Sequence, residues 1–326
     1  MKISLVQPNI GEKEREYVNK ALESGWVGGK GEYIDRFEEK FAKYIGVEHA
    51  ITCSSGTAAL QLAYLASGIH STSKVTVPDT TFRATWNMAR LYTPNVIEKP
   101  VEESTWVIKL ENLESEFVVG VHLYGNPVDM GQVYRNKYVF IEDCAQSLGS
   151  THRGKKSGSF GTTSIFSFHS AKTMTTGEGG MVCTSSKVIA DKVRELKNHC
   201  MVQPYIHKGL GFNFRMTNLQ AALGLAQLER LEELLSLKRY ITKFYNENLD
   251  KSFQRQVITP KSNVVCWLNT YKHQQANHLR RELGAFGIET RPGFLGENYI
   301  ALPSSTTLTQ GELEYVVESA NNLVKN

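Results

Sequence analysis

One lysine lies where the sequence could support imine chemistry. Lys172 belongs to the segment 166–180, FSFHSAKTMTTGEGG, where hydroxyl side chains surround it and a glycine-rich turn follows. The flanking runs 163–168 (TSIFSF) and 180–184 (GMVCT) are apolar and β-prone, which predicts two buried strands with Lys172 on their connection. A lysine near a desolvated site loses its proton more readily, and the neutral amine can attack a carbonyl to form a Schiff base. On this segment alone, an exposed loop lysine is the commoner case.

A second segment could bind phosphate. Residues 53–60, CSSGTAAL, join a predicted strand to a predicted helix, and small residues there let backbone amides approach a phosphate at the positive end of the helix. The segment lacks the GxxxxGK[ST] pattern of nucleoside-triphosphate loops. A simple serine N-cap is the alternative, and the segment taken alone favours it.

A third feature is a carboxylate at the end of an apolar strand. Asp143, in IEDCAQS (141–147), lies where ligands of open α/β sheets gather. A carboxylate there needs a charged partner, and the protonated ring nitrogen of pyridoxal phosphate is one that fits. A cap on the next segment explains Asp143 equally well. Together, the phosphate-binding junction, Asp143 and a lysine 29 residues later (172 minus 143) supply the three anchors that this cofactor requires.

The elements that position these residues alternate between strands and helices. Helical segments are predicted at Thr57–Ser67 and Thr81–Leu91, so residues from about 48 to 184 form an α/β domain. The predicted strands are 49–54, 74–78, 117–123, 138–144, 163–168 and 180–184.

The rest of the chain predicts a smaller second domain. A long helical pattern begins near Thr217 and leads out of the large domain. It is followed by a strand at 264–271, a helix at 273–286, a loop with Pro292 and Pro303, and a final helix from Thr309. We therefore expect a large domain at residues 1–230 and a small C-terminal α/β domain at 231–326. The N-terminal helix, around Glu12 to Leu22, is a candidate to pack on the small domain.

Composition excludes several classes of function. At 326 residues and 41% hydrophobic, the chain can bury a full core, and a net charge of +4 is too mild to imply nucleic-acid binding. Its five cysteines form no CxxC pair, so neither a metal site nor a disulfide framework is expected. His122 reads as a satisfied strand-end residue rather than a metal ligand. The N-terminus lacks a signal-peptide pattern and no long apolar stretch could span a bilayer, so we expect no membrane association and a cytoplasmic location.

Many ordered motifs give the chain a resemblance to a known family. Besides the three segments above, the resemblance rests on 24–50, 77–87 (VPDTTFRATWN), 122–130 (HLYGNPVDM), 211–231 (GFNFRMTNLQAALGLAQLERL) and 287–292 (GIETRP). Over nearly its whole length the chain resembles the DegT/DnrJ/EryC1/StrS family of nucleotide-sugar aminotransferases. This implies pyridoxal-phosphate fold type I, a large domain with a mixed, mostly parallel sheet wrapped by helices and a small C-terminal α/β domain.

The resemblance also implies a role for each matching residue. Lys172 matches the catalytic lysine that holds the cofactor and moves the proton, Asp143 the partner of the ring nitrogen, and Gln146 a residue on the ring-oxygen side. The remaining cofactor-binding matches are Gly56, Thr57 and Ser167 at the phosphate, Phe82 stacked on the ring, and Asn213, which reaches the phosphate from the other subunit. Since Asn213 acts across subunits, the resemblance implies a homodimer with shared active sites.

The implied reaction has two halves. An amino donor, commonly L-glutamate in this family, converts pyridoxal phosphate to pyridoxamine phosphate, and a nucleotide-linked keto sugar then takes the amine. Similarity of SGWVGGKGEYIDRFE (24–38) and RMTNLQAALGLAQLERL (215–231) to perosamine-synthase-like members favours carbon 4 of a 4-keto-6-deoxyhexose.

Three alternatives stay open. The first is a 3-keto sugar acceptor, and the second is a non-catalytic ligand-binding or regulatory protein on the same fold. The third is an amino-acid aminotransferase, for which Arg215 and Arg291 are available to bind an α-carboxylate. The segment after Pro292 is shorter than is usual in the family, and the chain between Arg90 and Val118 is compressed, so either could alter which sugar fits.

Overall fold

The computed structural model describes residues 2–131, 133 and 138–325. The helices of this part of the chain are α1 (Glu12–Glu23), α2 (Glu32–Ile45), α3 (Gly56–Ala66), α4 (Arg83–Tyr92), α5 (Lys187–Lys197), α6 (Asn218–Glu229), α7 (Leu231–Asn248), α8 (Ala276–Ala285) and α9 (Gln310–Lys325). The strands are β1 (His49–Cys53), β2 (Val75–Pro78), β3 (Val96–Lys99), β4 (Phe117–Val121), β5 (Val139–Asp143), β6 (Thr151–His152), β7 (Lys155–Lys156), β8 (Thr163–Ser167), β9 (Gly180–Thr184), β10 (Met201–Gln203), β11 (Ile206–His207), β12 (Ser262–Asn263), β13 (Thr270–Lys272), β14 (Arg291–Gly293) and β15 (Gly296–Ala301). A 3₁₀ turn covers Leu123–Gly125.

A mixed, mostly parallel sheet forms the centre of the molecule. Within the described residues it has seven strands in the order β1-β9-β8-β5-β4-β2-β3, and only β9 runs against its neighbours. Strand β4 in its interior, FVVGV, is a continuous apolar run that is buried along its whole length. Such strands must be covered on both faces, and α2 and α3 are among the helices packed against them. All six predicted strands of this sheet are present, as expected for an α/β domain.

The parallel strands bring distant residues to one edge of the sheet. Asp143, the last residue of β5, pairs with Val121 of β4 on one side and with Ile165 of β8 on the other. The carboxyl ends of β5 and β8 therefore lie side by side, and ligands of open α/β sheets bind at this edge.

Helix α2 packs because of its apolar spacing. Ile34, Phe37, Phe41 and Ile45 are three or four residues apart and are all buried. Gly46 ends the helix in the left-handed conformation, at φ 88°. The Phe41 ring meets Phe166 of β8 edge-on at 5.0 Å, so the helix is fixed directly against the strand that leads to Lys172.

The structure corrects three details in the C-terminal part. The helical pattern from Thr217 is not one helix, because the chain breaks at Arg230, which leaves helical geometry and pairs with Glu14 of α1 at 3.1 Å. Only the end of the predicted strand 264–271 is a strand, in β13. The predicted loop around Pro292 is instead the hairpin β14–β15, where Pro292 is tolerated because β14 is an edge strand.

Helices α7, α8 and α9 enclose a separate apolar cluster with the β13–β15 sheet. Tyr245, Leu279, Ile300 and Val316 are fully buried within it, and Ile3 from the N-terminal segment joins them. Helix α1 packs against α6. No helix among the described residues combines the length and apolar character needed to cross a membrane.

Candidate active site

Lys172 lies on the connection between β8 and β9, as predicted. Its backbone amide donates to the His169 carbonyl at 2.9 Å, and the Thr176 amide donates to the Phe168 carbonyl at 2.9 Å, so the loop folds tightly on itself. The side chain is half-buried, with Nζ 3.9 Å from the centre of the Trp267 ring. Burial lowers the pKa of Lys172 to about 7, with Asp143 opposing the shift and Arg291 adding to it. A substantial neutral fraction near neutral pH is what a nucleophile or proton carrier requires.

Asp143 is buried at the carboxyl end of β5. It accepts hydrogen bonds from the Thr85 hydroxyl at 2.8 Å and from the Ala145 amide at 3.1 Å. Burial raises the pKa of Asp143, against these two hydrogen bonds and the charge of Lys172. The bond to Ala145 shows that the capping alternative is part of the local structure. The Ala145 amide engages only one of the two carboxylate oxygens, and Asp143 still lines the cavity.

The N-terminus of α3 forms one end of the cavity. The Ser55 side chain caps the helix by accepting from the Ala58 amide at 3.1 Å, as the serine N-cap alternative requires. The amides of Gly56 and Thr57 precede the first backbone bond of the helix, which Ala59 makes to Ser55. A Cβ on Gly56 would lie 2.8 Å from the Ser167 Cβ, so glycine is needed for α3 to approach β8. Gly180 likewise has no room for a Cβ, which would lie 2.3 Å from the Ser55 carbonyl.

These groups share a cavity of about 350 Å³. The predicted site residues that line it are Gly56, Thr57, Phe82, Asp143, Gln146, Ser167 and Lys172. Asn213 does not line it. Asn213 is exposed and forms a β-bridge with Asn198, and no contact with another described residue brings it to the cavity.

Gln146 and Phe82 both leave groups free toward the cavity. Gln146 accepts from the Tyr124 amide through Oε1 at 2.9 Å, so its amide nitrogen is left to donate. The Phe82 ring is 59% exposed although it lines the cavity. An exposed aromatic face at a cavity is suited to covering a flat ring.

Three residues that line the cavity were not assigned a role from the sequence motifs. Thr85 holds Asp143, and its signal was its place in the 77–87 motif, three residues after Phe82. Trp267 donates from Nε1 to the Ala171 carbonyl at 2.6 Å and so lies beneath Lys172. Phe294 packs edge-on against Phe82 with ring centres 6.4 Å apart. No local pattern identifies Trp267 or Phe294, because both come from the C-terminal part of the fold.

The two arginines considered for a carboxylate lie apart. Arg291 lines the cavity, whereas Arg215 bonds to Asn198 and lines a separate surface cavity with Gly29. Of the two, only Arg291 can act on a ligand beside Lys172 of the same chain.

His122 is a satisfied residue, as expected. Its Nδ1 accepts from the Val128 amide at 3.2 Å, so the hydrogen is on Nε2, which donates to Glu142 at 3.1 Å. Cys144 completes a buried trio with His122 and Glu142. Glu142 also accepts the amides of Gly158, Phe160 and Gly161 at 2.6–2.8 Å, so protein donors engage both of its oxygens.

The residues fit pyridoxal phosphate. Gly56 keeps room where a Cβ would intrude, and free amides and the Ser167 hydroxyl suit a phosphate. A buried carboxylate and a lysine of lowered pKa lie in the same cavity. When bound, this cofactor supplies an electron sink for charge on the reacting carbon.

Comparisons with known proteins agree with the sequence motifs. The profile of the DegT/DnrJ/EryC1/StrS aminotransferase family matches residues 8–298. The chain is 37% identical to the GDP-perosamine synthase of Escherichia coli O157:H7, covering 98% of each protein, and 39% identical to that of Vibrio cholerae, covering 90% of this chain and 84% of the relative. The PLP form of Spr1654 from Streptococcus pneumoniae superposes with a TM-score of 0.91 at 23% identity, covering 100% of this chain and 99% of the other.

The structural match shows the fold, and the family profile and the sequence relatives show the lineage. The predicted fold class and family are confirmed, as is the cofactor, because the aminotransferases of this family depend on pyridoxal phosphate. The chain belongs to the DegT/DnrJ/EryC1/StrS aminotransferase family.

Proposed function

We propose that this protein transfers an amino group from L-glutamate to carbon 4 of a GDP-linked 4-keto-6-deoxyhexose. The observation that carries the proposal is the meeting of Lys172, Asp143 and the α3 N-terminus in one cavity. The choice of sugar and nucleotide is supported by the GDP-perosamine synthases among the relatives. In each of these comparisons the aligned region covers 84% or more of both proteins.

Each residue of the cavity has a task in this proposal. Gly56, Thr57 and Ser167 would hold the cofactor phosphate, and the negative charge of Asp143 would keep the ring nitrogen protonated. Phe82 and the amide nitrogen of Gln146 would hold the ring between them and Lys172. These groups bind and orient, so that the reacting atoms meet Lys172 in one geometry.

Lys172 carries the proton in both halves of the reaction. With a pKa of about 7, Nζ can accept a proton from the substrate carbon and return it near neutral pH. The Trp267 ring lies against Nζ and keeps water away from that side of the amine.

A lysine substitution tests the proposal. We expect Lys172→Ala to lose both turnover and the visible absorbance of the lysine-bound cofactor, because no other described cavity residue offers an amine. Lys187→Ala is the matched control, since Lys187 is an exposed lysine on α5, paired with Asp191. Normal turnover by Lys172→Ala would refute the assignment.

The acceptor is tested by its product. Incubation with glutamate and GDP-, dTDP- or UDP-linked keto sugars, followed by NMR of the product, identifies the ring carbon that bears nitrogen. Nitrogen on carbon 3 would replace the proposal with the 3-keto alternative. A colourless protein whose spectrum ignores glutamate would favour the non-catalytic alternative.

The homodimer and the cytoplasmic location are further parts of the proposal. In this proposal Asn213 reaches the cofactor phosphate of a second subunit. Its exposure and its absence from the cavity of its own chain support this role. All five cysteines are buried and free, which suits a reducing compartment.

A further inference from the structure

The short segment after Pro292 reaches the cavity. It forms the hairpin β14–β15, and both Arg291 at its start and Phe294 at its turn line the cavity with Lys172. The turn is held from below, because the Phe294 amide donates to the Tyr124 hydroxyl at 2.7 Å. The segment therefore supplies a wall of the site rather than an open gap.

Stacked rings support that wall. The Tyr124, Trp267 and Phe294 rings lie within 23° of parallel, with centres 5.6 to 6.5 Å apart. Trp267 is fixed further by its bond to the Ala171 carbonyl and by the buried Lys238, which donates to the Trp267 carbonyl at 2.8 Å. Protein contacts therefore hold the rings of the wall in place without any bound substrate.

Arg291 is the basic group of this wall that has no partner of its own. Its guanidinium carbon lies 5.4 Å from the Trp267 ring centre and 5.9 Å from that of Phe294. Among the described residues it makes no hydrogen bond or ion pair, and nearby Glu289 accepts from the Leu5 amide instead. A half-buried guanidinium without an acceptor is costly, and its five donors match a carboxylate or phosphate.

The other charged groups of the cavity do not compete for that role. Lys172 is committed to the cofactor, Asp143 is an anion, and His169 lies 3.6 Å from Glu178. Of the described lining residues, Arg291 is therefore the cation available to a second anionic ligand.

We infer that Arg291 binds an anionic oxygen group of a substrate, with the aromatic wall holding its guanidinium in place. Two sources share this chemistry, the carboxylate of the amino donor and a phosphate of the nucleotide sugar. The inference rests on the proposed function, since it requires these substrates to enter the cavity beside Lys172.

Ligand binding separates the two sources without relying on turnover. Calorimetry on the cofactor-loaded protein measures the dissociation constants of glutarate, a dicarboxylate that cannot react, and of GDP. We expect Arg291→Gln to weaken one of the two by about tenfold or more, as the loss of a charge-assisted bond implies, and Arg291→Lys to recover part of it. The ligand that is weakened identifies the group that Arg291 holds.

The controls make failure clear. Arg281→Gln alters an exposed arginine on α8 and should leave both constants unchanged. Suppose that the wild-type protein binds glutarate or GDP. If Arg291→Gln then has dissociation constants for both ligands within about twofold of the wild-type values, and a normal melting temperature, this inference is refuted and the proposed function stands. If wild type binds neither ligand and its spectrum ignores glutamate, the proposed function falls and the inference with it.

Discussion

At the scale of single residues, burial converts an ordinary lysine into a reactive one. Lys172 has a pKa of about 7 because its ammonium is removed from water beside Trp267 and near Arg291. Asp143 opposes the shift, so the two groups are electrostatically linked even before a cofactor enters. The motif alone favoured a loop lysine, and the burial is what distinguishes this one.

The lowered pKa of Lys172 predicts a pH-dependent stability effect in the cofactor-free protein. The pKa of Lys172 is about 7 in the folded protein, and the ordinary pKa of an exposed lysine is 10.5. Between these values the unfolded state therefore binds more protons, and stability rises with pH there. Below pH 7 the cost of burying the charge is fully present. We therefore expect Lys172→Met to raise the free energy of unfolding at pH 6 and to lose this advantage by about pH 10.5.

Urea unfolding of both proteins at a series of pH values measures this difference. The comparison with wild type cancels the contribution of Lys238, another buried lysine, whose pKa is about 8. An advantage of Lys172→Met that stays constant from pH 6 to pH 10.5 would contradict the prediction.

At the scale of elements, one buried carboxylate links β5, the strand that ends in Asp143, to the loop at residues 158–161. Glu142 of β5 accepts the amides of Gly158, Phe160 and Gly161 and the Nε2 hydrogen of His122. It lies one residue before Asp143, so these bonds also hold the end of β5 in place.

We expect Glu142→Gln to lower the free energy of unfolding by about 3–5 kcal/mol. The N–H donors of the new glutamine side chain would face the N–H donors that Glu142 now accepts, at a fully buried position. Backbone amides would be left unpaired. Denaturant unfolding measures the change, with Glu114→Gln, an exposed glutamate, as the matched control. An unfolding midpoint equal to that of wild type would show that the network contributes little.

At the scale of the whole molecule, one exposed surface carries large apolar side chains that the proposed second copy would cover. Tyr205 on the turn of β10–β11 is 93% exposed, and Leu210, just after it, is 82% exposed. Large exposed apolar side chains grouped in this way mark interaction surfaces. Asn213 follows in the same segment, so a partner that covers this surface would also receive Asn213.

Mixing two inactive variants tests shared sites. If Asn213 serves the partner's cofactor, a dimer of one Lys172→Ala chain and one Asn213→Ala chain has one site with both changes and one intact site. Subunit exchange at equal amounts should then restore about a quarter of wild-type activity, since half of the dimers are mixed. Activity that stays at the level of the separate variants would place Asn213 in its own chain's site, or outside the site altogether. The division at residue 230 into two domains stays a prediction at this scale.

The sequence by itself determined the anchors, because their signals are local. Lys172, Asp143 and the 53–60 junction each lie next to an apolar run whose spacing predicts the strand or helix that carries them, and the order of motifs identified the family. The break at Arg230 was missed, because the leucine spacing continues across it and its ion-pair partner, Glu14, lies far away in the chain.

Only the tertiary structure decided what surrounds the lysine. Trp267 meets Ala171 across 96 positions of the chain, and Thr85 meets Asp143 across 58. No local periodicity encodes such contacts, since they depend on how α4 and the segment before β13, which holds Trp267, pack against the sheet edge. The lowered pKa of Lys172, and an Arg291 that has no hydrogen-bond or ion-pair partner among the described residues, follow from that packing, so they emerge only when the chain is folded.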